Sequence, residues 1–286
     1  MKYIDVSEWQ GNIDWEKAKE NIDGVILRAG YGKTGVDKQF ARNASECNRL
    51  GIPCGAYWFS YAKSVEEAKA EALALIAAVK PYRMELPLAF DFEYDSVKNA
   101  EKAGVIITKE LASELVWAFA TTIENHGYWC LNYANPDYLN RYFDEQTTAR
   151  FGLWLASWPT AKVFDLEKSP VKCSIWQYSC TGSIPGIAGN VDLDESYLDF
   201  RKIITEQGLN NTKPVYEDED GSPIYEYMQQ TQKPVDPADD AYKWAKSYGL
   251  ITEDTPNCKE IALMVWRYHF LFRKEEDPKW LSGSLD

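Results

Sequence analysis

The sequence has very few of the residues that most nucleophilic and metal sites use. Only two histidines occur among 286 residues, and the six cysteines are scattered without a CxxC spacing. Because zinc sites are built from closely spaced cysteine and histidine ligands, we expect no zinc site. The GxSxG, GxxxxGK[ST] and GxGxxG motifs are also missing. The sequence therefore argues against a serine-hydrolase elbow, a P-loop and a dinucleotide-binding loop.

The sequence also has few positively charged residues relative to acidic ones, and it has no long apolar run. Lysine and arginine total 31 against 44 acidic residues, a formal net charge of −13. Nucleic acids and anionic membrane surfaces both attract basic patches, so neither is an expected partner. No apolar stretch is long enough to cross a bilayer, and the segment MKYIDVSEWQ lacks the pattern of a signal peptide. We expect a protein made in the cytoplasm that reaches its substrate after release, or by a route outside this chain.

Aromatic residues, in contrast, are abundant. They make up 14% of the chain, with 11 tryptophans and 18 tyrosines. Such an excess either fills a core or lines a groove that stacks on sugar or base rings. The length and the 45% hydrophobic content fit one large domain with something smaller beside it.

Short β-branched apolar runs alternate with longer amphipathic segments over residues 1–200. This alternation predicts strands joined by helices, and strands so connected pair in parallel. The later strands follow one another with little helix between them, so we predict an α/β fold, an irregular β/α barrel of eight strands with few helices. The predicted strands are 2–6, 24–30, 53–61, 86–93, 128–134, 152–157, 173–179 and 190–194. The predicted helices are a short one after Asp14, 37–50 before Gly51, 65–80 after Ser64 and one from Thr108 to His126.

The composition changes near residue 210. Residues 207–223 are polar, acidic and interrupted by proline and glycine, which is typical of a linker. Residues 224–286 have helical periodicity in two segments and predict a small, mainly helical module. We therefore expect a barrel over 1–206, a linker over 207–223 and a C-terminal module that binds cell walls or forms oligomers.

Acidic residues mark the ends of several predicted strands. In β/α barrels, the chemistry lies at the carboxyl ends of the strands. Asp5 ends the first strand, Asp91 and Glu93 end the fourth, and Asp192 and Asp194 lie in the last. These five residues are the candidate catalytic acids among the 44 acidic residues of the chain.

Asp91 and Glu93 give the strongest of these signals. Residues two apart on a strand point to the same side, about 6.6 Å apart at a rise of about 3.3 Å per residue. Two carboxyls so placed can flank a glycosidic bond. Their apolar neighbours disfavour joint ionisation, so one carboxyl can stay protonated as an acid. The alternative is an acid pair that caps a loop or binds an ion; the strand-end position favours catalysis.

Aromatic side chains at strand ends supply a possible substrate surface. Tyr61, Tyr133, Trp158 and Tyr178 are placed to line a sugar-binding cleft, whereas aromatic residues deep in a barrel form its core.

Taken in order, several motifs resemble the Chalaropsis-type lysozymes, glycoside hydrolase family 25. They are YIDVSEWQGNIDW, VILRAGYG, GIPCGAYWFSYA, LAFDFEYD, WLASW, SIWQYS and GNVDLDESY, between residue 3 and about residue 200. The resemblance implies an irregular β/α barrel that hydrolyses the β-1,4 bond between N-acetylmuramic acid and N-acetylglucosamine of peptidoglycan strands. Because an acid pair can cleave a glycosidic bond without a Lewis acid, we expect no metal and no other cofactor. A phage or prophage endolysin fits this description.

The resemblance also assigns roles to individual residues. Glu93 matches the general acid/base, and Asp91 matches the neighbouring aspartate that orients the substrate's N-acetyl group or acts as nucleophile. Asp5 and Asp192 match the other two acids of the active-site ring. The remaining matches are candidate substrate-binding residues, namely Tyr57, Tyr61, Arg28, Trp176 and Gln177.

Two other functions are compatible with a barrel. A non-catalytic glycan-binding protein would not need the four acids. A chitinase would carry a DxxDxDxE run on the fourth strand, where this sequence lacks the first two aspartates. Both features favour the muramidase. The tail weakly resembles one S-layer-homology repeat.

Overall fold

A computed structural model describes residues 1–158 and 173–212, and the structure discussed below is that of these residues. Nine strands form one sheet. Each of the eight predicted strands is present, with boundaries shifted by a few residues. The strands are β1 (Lys2–Val6), β2 (Gly24–Tyr31), β3 (Gly35–Val36), β4 (Cys54–Phe59), β5 (Leu88–Asp91), β6 (Cys130–Ala134), β7 (Leu153–Ala156), β8 (Ile175–Gly182) and β9 (Val191–Ser196).

The sheet closes into a barrel because β1 pairs with both β2 and β9. The strand order around it is β1, β2, β4, β5, β6, β7, β8 and β9, and the two-residue β3 is added to the edge of β2. This is the predicted irregular eight-stranded barrel. Neighbouring strands from β1 to β8 are parallel, as expected from their connections.

The last strand departs from the all-parallel prediction. β9 runs antiparallel to both β8 and β1. A parallel connection needs a crossover of about a dozen residues or more, and the link 183–190 is too short for one. As a result, the amino end of β9, not its carboxyl end, lies at the same barrel mouth as the carboxyl ends of the other strands.

The predicted helices are present with the expected caps. The side chains of Asp14, Ser64 and Thr108 each accept a hydrogen bond from a backbone N–H of the first turn, and Gly51 ends α2 in the left-handed conformation. Four further helices, α4 and α6 to α8, were not predicted. The helices are α1 (Trp15–Ala18), α2 (Phe40–Leu50), α3 (Val65–Val79), α4 (Tyr94–Lys102), α5 (Lys109–Asn125), α6 (Pro136–Arg141), α7 (Glu145–Phe151) and α8 (Phe200–Glu206).

Side chains alternate between the inside of the barrel and the helices around it. The outer layer is a large apolar cluster that includes Val25, Leu75, Phe90 and Phe119, all fully buried. None of the described helices has the length and apolar character required to cross a bilayer. The inner face carries the residues described in the next section.

Residues 207–212, which the sequence assigns to the linker, pack on the barrel. Asn210 is fully buried. Its side chain accepts a hydrogen bond from the backbone N–H of Trp129 (2.7 Å) and donates one to the backbone carbonyl of Leu86 (2.8 Å). The rest of the predicted linker and the predicted C-terminal module, 224–286, lie outside the described residues.

Candidate active site

A cavity of about 190 Å³ opens at the mouth of the barrel. Eight of the twelve predicted site residues line it, and two further residues, Trp154 and Cys180, complete the wall. The lining residues are Asp5, Tyr57, Asp91, Glu93, Tyr133, Trp154, Trp158, Gln177, Cys180 and Asp192.

The acid pair lies where β5 passes into α4. The strand ends at Asp91, and Glu93 is the N-cap of α4 with an extended backbone (φ −128°, ψ −172°). Extended backbone keeps residues two apart on one side, so both carboxyls face the cavity although only Asp91 belongs to the strand. The two carboxyl groups are hydrogen-bonded to each other.

This contact requires a shared proton. Asp91 is 5% exposed, and no N–H or neutral hydroxyl in the described residues reaches its Oδ1. Burial raises the pKa of Asp91 well above its usual value, and the charge of Glu93 raises it further. Burial also raises the pKa of Glu93, and its contact with Asp91 opposes part of that rise. Two buried carboxyls at this distance resist joint ionisation, so the pair favours keeping one proton that a bound substrate can receive.

Asp5 and Asp192 form the opposite side of the site. They are register partners on the antiparallel strands β1 and β9. Burial raises the pKa of Asp5 well above its usual value, with further contributions from the charges of Asp194 and Asp192. Burial raises the pKa of Asp192 to about 6.

Gln177 links Asp5 to the aromatic wall. Its amide nitrogen donates to Asp5 Oδ2 at 2.8 Å. Its amide oxygen accepts from Tyr133 Oη (3.1 Å) and from Trp158 Nε1 (3.1 Å). These donors fix which end of the amide faces Asp5, so the amide presents its NH₂ group to the carboxyl.

The aromatic wall is built around Trp154. The Tyr133 ring lies 4.9 Å from it and the Tyr57 ring 6.0 Å, both edge to face. Trp158 is 56% exposed at the rim, where its ring is open to a ligand. This combination of apolar ring faces and carboxyls is suited to a sugar, which has both C–H and O–H groups.

Arg28 lies beside the cavity but not in its lining. Its guanidinium pairs with Asp37 (2.8 Å) and Glu8 (3.1 Å). The positive charge of Arg28 partly offsets the rise in the pKa of Asp91. The two ion pairs therefore hold the positive charge of Arg28 close to Asp91.

Three other predicted substrate-binding residues lie outside the lining. Trp176 is buried in the outer core, and its indole N–H donates to the Ser157 carbonyl. Tyr178 packs against Trp176 with ring centroids 5.5 Å apart. Tyr61 is partly exposed after β4, with its ring 5.2 Å from Phe59.

Trp154 and Cys180 were not among the predicted site residues, and Asp194 was a candidate acid without an assigned role. For Trp154 and Asp194, strand alternation offered a signal: Asp194 is two residues from Asp192, and Trp154 pairs in register with Tyr133. Cys180 follows a register shift in β8, which no sequence pattern reveals. Within residues 1–158 and 173–212, no cluster of three or more histidine, cysteine or acidic side chains has a geometry that holds a metal ion.

Comparison with known proteins finds relatives among the lysozymes. The chain is 26% identical over 198 residues to the autolytic lysozyme of Clostridium acetobutylicum, which covers 68% of this chain and 55% of that protein. It is 25% identical to lysozyme M1 of Streptomyces globisporus, over 66% of this chain and 65% of that one. The chain thus spans little more than half the length of the first of these relatives.

Solved structures are similar over the same region. The modular autolysin LytC of Streptococcus pneumoniae has a TM-score of 0.58 and 29% identity, covering 68% of this chain and 46% of that one. That autolysin has also been solved in complex with a synthetic peptidoglycan ligand. The model of the family named Glycosyl hydrolases family 25 matches residues 4–187. The predicted resemblance is thereby confirmed, and the chain belongs to glycosyl hydrolase family 25.

Proposed function

We propose that the protein is a muramidase, which hydrolyses the β-1,4 bond between N-acetylmuramic acid and N-acetylglucosamine in peptidoglycan. Family membership and the lysozymes among its relatives support this activity. The peptidoglycan complex of a structural neighbour supports the same substrate class.

The hydrogen-bonded pair Asp91–Glu93 is the observation that carries the proposal. Glycosidic cleavage needs a protonated acid, and burial favours the protonated form by raising both pKa values. Glu93 is the more accessible of the two. We therefore assign proton donation to Glu93.

The proposed hydrolysis begins with proton transfer from Glu93 and ends with the return of a proton to it. Glu93 donates its proton to the glycosidic oxygen as the C1–O bond breaks, and positive charge develops on the sugar ring. Proton loss leaves the buried carboxylates facing that charge, which stabilises it. The oxygen of an incoming water then bonds to C1 while Glu93 accepts a proton from that water, which completes the hydrolysis and restores the shared proton.

The identity of the reducing end tests the proposal. Purified peptidoglycan is digested, the fragments are reduced with borodeuteride, and the labelled sugar is identified by mass spectrometry. A muramidase labels N-acetylmuramic acid. Labelled N-acetylglucosamine contradicts the bond assignment, and unlabelled, undigested walls that retain the protein indicate a glycan-binding protein without activity.

A further inference from the structure

Asp194 is a carboxyl in the interior of the barrel, below the cavity. It lies two residues after Asp192 on β9, so the two side chains share the inner face. Its register partners are Tyr3 on β1 and Gln177 on β8. It is fully buried, whereas Asp192 lines the cavity.

The surroundings of Asp194 do not compensate a negative charge. Trp154 Nε1 donates to its Oδ1 at 2.7 Å. Its Oδ2 receives no hydrogen bond from an N–H or neutral hydroxyl in the described residues, and within them no cation pairs with it. An isolated buried carboxylate is costly, so a group with a proton must face this oxygen.

Asp5 is that group. Asp5 pairs in register with Asp192, two residues before Asp194 on the same face, so its carboxyl lies beside that of Asp194 and interacts with it. One oxygen of Asp5, Oδ2, already accepts from Gln177, so a proton on the other oxygen can be donated to Asp194. The resulting chain of hydrogen bonds leads from the rim residue Trp158 through Gln177 and Asp5 to Asp194.

We propose that Asp194 is a positioning residue that shares one proton with Asp5 and so holds Asp5 protonated at the cavity wall. The site then contains two proton-sharing carboxyl pairs, Asp91–Glu93 and Asp5–Asp194. The contribution of the second pair to catalysis rests on the proposed function, but the shared proton itself does not. Asp192 also faces the pair: its charge acts on both members, and its carboxyl contacts that of Asp5. The titratable side chains of Tyr57 and Tyr133 face Asp5 from the aromatic wall.

The pKa values agree with this geometry. Burial raises the pKa of Asp194 to about 7, and its hydrogen bonds from Trp154 and Asp5 oppose the rise. The Asp194 charge raises the pKa of Asp5. Removing that charge must therefore lower the pKa of Asp5, because a neighbouring negative charge disfavours ionisation.

Titration of the aspartate side-chain carboxyl carbons by NMR tests the proposal without substrate. In Asp194→Asn, the amide oxygen can still accept from Trp154, but the side chain can no longer share a proton as a carboxylate. We expect the pKa of Asp5 to fall by about one pH unit or more. If Asp194 only anchors Trp154, the variant loses stability while Asp5 titrates as in the wild type, and the proposal is overturned.

Trp154→Phe is a second variant for the same titration, which applies if Asp194→Asn does not fold. It removes the donor to Asp194 and leaves both carboxyls in place. The Asp194 anion is then less stabilised, so the Asp5–Asp194 pair should release its proton at higher pH. An unchanged titration contradicts proton sharing. Failure of the wild type to digest walls would refute the muramidase proposal but leave these titrations unaffected.

Discussion

Gln177 donates a 2.8 Å hydrogen bond to Asp5 across 172 positions of the chain. Strand β8 thereby controls the orientation of a carboxyl on β1, although β9 lies between the two strands. The same amide accepts from Tyr133 and Trp158, so one residue joins the acids to the aromatic wall.

Gln177→Met should impair catalysis while the fold persists. Methionine has similar length but can neither donate to Asp5 nor accept from Tyr133. Loss of a hydrogen bond to an ionisable group costs about 1.5–3 kcal/mol, so we expect kcat to fall about 10- to 100-fold. Gln146→Met, on the exposed face of α7, is the matched control. Equal rates for the two variants would contradict the role of Gln177.

Cys180 should make the cavity sensitive to thiol reagents. It is partly exposed in the cavity wall, whereas Cys47, Cys54, Cys130 and Cys173 are buried. We expect N-ethylmaleimide to inhibit wall digestion by the wild type, because the adduct occupies the cavity. Cys180→Ser should have the same activity with and without N-ethylmaleimide treatment. Cys258→Ser is the control for labelling of the cysteine in the C-terminal segment. Equal inhibition of Cys180→Ser would refute this prediction.

The sequence predicts the barrel well because strand length and spacing depend on local patterns. The acid pair is equally local, since Asp91 and Glu93 lie two residues apart. Partners such as Trp154 and Asp194 depend on strand register, and no local pattern specifies which residues lie opposite one another.

Adjacent residues point to opposite faces of a strand, and this rule corrects part of the predicted site. Trp176 and Gln177 cannot both face the cavity; Gln177 does, and Trp176 packs outward. The direction of β9 was not predicted, because the apolar pattern of a strand is the same whether the strand runs parallel or antiparallel to its neighbours. Asp192 still reaches the site, since it lies at the start of β9 and not at its end.

Glu71 should make the protein less stable as pH rises. It is 1% exposed on α3, and its Oε1 accepts from the Tyr61 backbone N–H at 3.0 Å. Burial raises its pKa from 4.5 to about 7. Between these values the folded protein keeps a proton that the unfolded chain has lost, so the unfolding free energy falls with pH across this window.

Glu71→Gln removes this titration and should flatten the profile. One such group changes the unfolding free energy by at most about 1.4 kcal/mol per pH unit. Urea denaturation from about pH 5 to about pH 7 measures the slope. The control is Glu66→Gln, an exposed acid on the same helix. A wild-type slope in Glu71→Gln would show that Glu71 is ionised throughout.

The boundary of the barrel can be tested by truncation. Asn210 hydrogen-bonds to Trp129 and Leu86, so a chain ending at Thr212 keeps these contacts and one ending at Glu206 loses them. Each buried partner left unpaired costs about 1–3 kcal/mol. We expect a lower urea midpoint for the shorter chain; equal midpoints would argue against a role for 207–212. The separate C-terminal module stays a prediction.

Glu93→Gln is the most direct test of the account. Glutamine preserves the shape of the side chain but cannot donate a proton, and Asp95→Asn makes the same charge change on the exposed first turn of α4. We expect the rate of muropeptide release to fall about 10²- to 10⁴-fold in Glu93→Gln, as is typical for a general acid. Asp95→Asn should lose far less activity, since it removes only a charge that raises the pKa of Glu93, and thermal melting should show both variants folded. Near wild-type release of reducing-end muramic acid by folded Glu93→Gln would contradict the central claim.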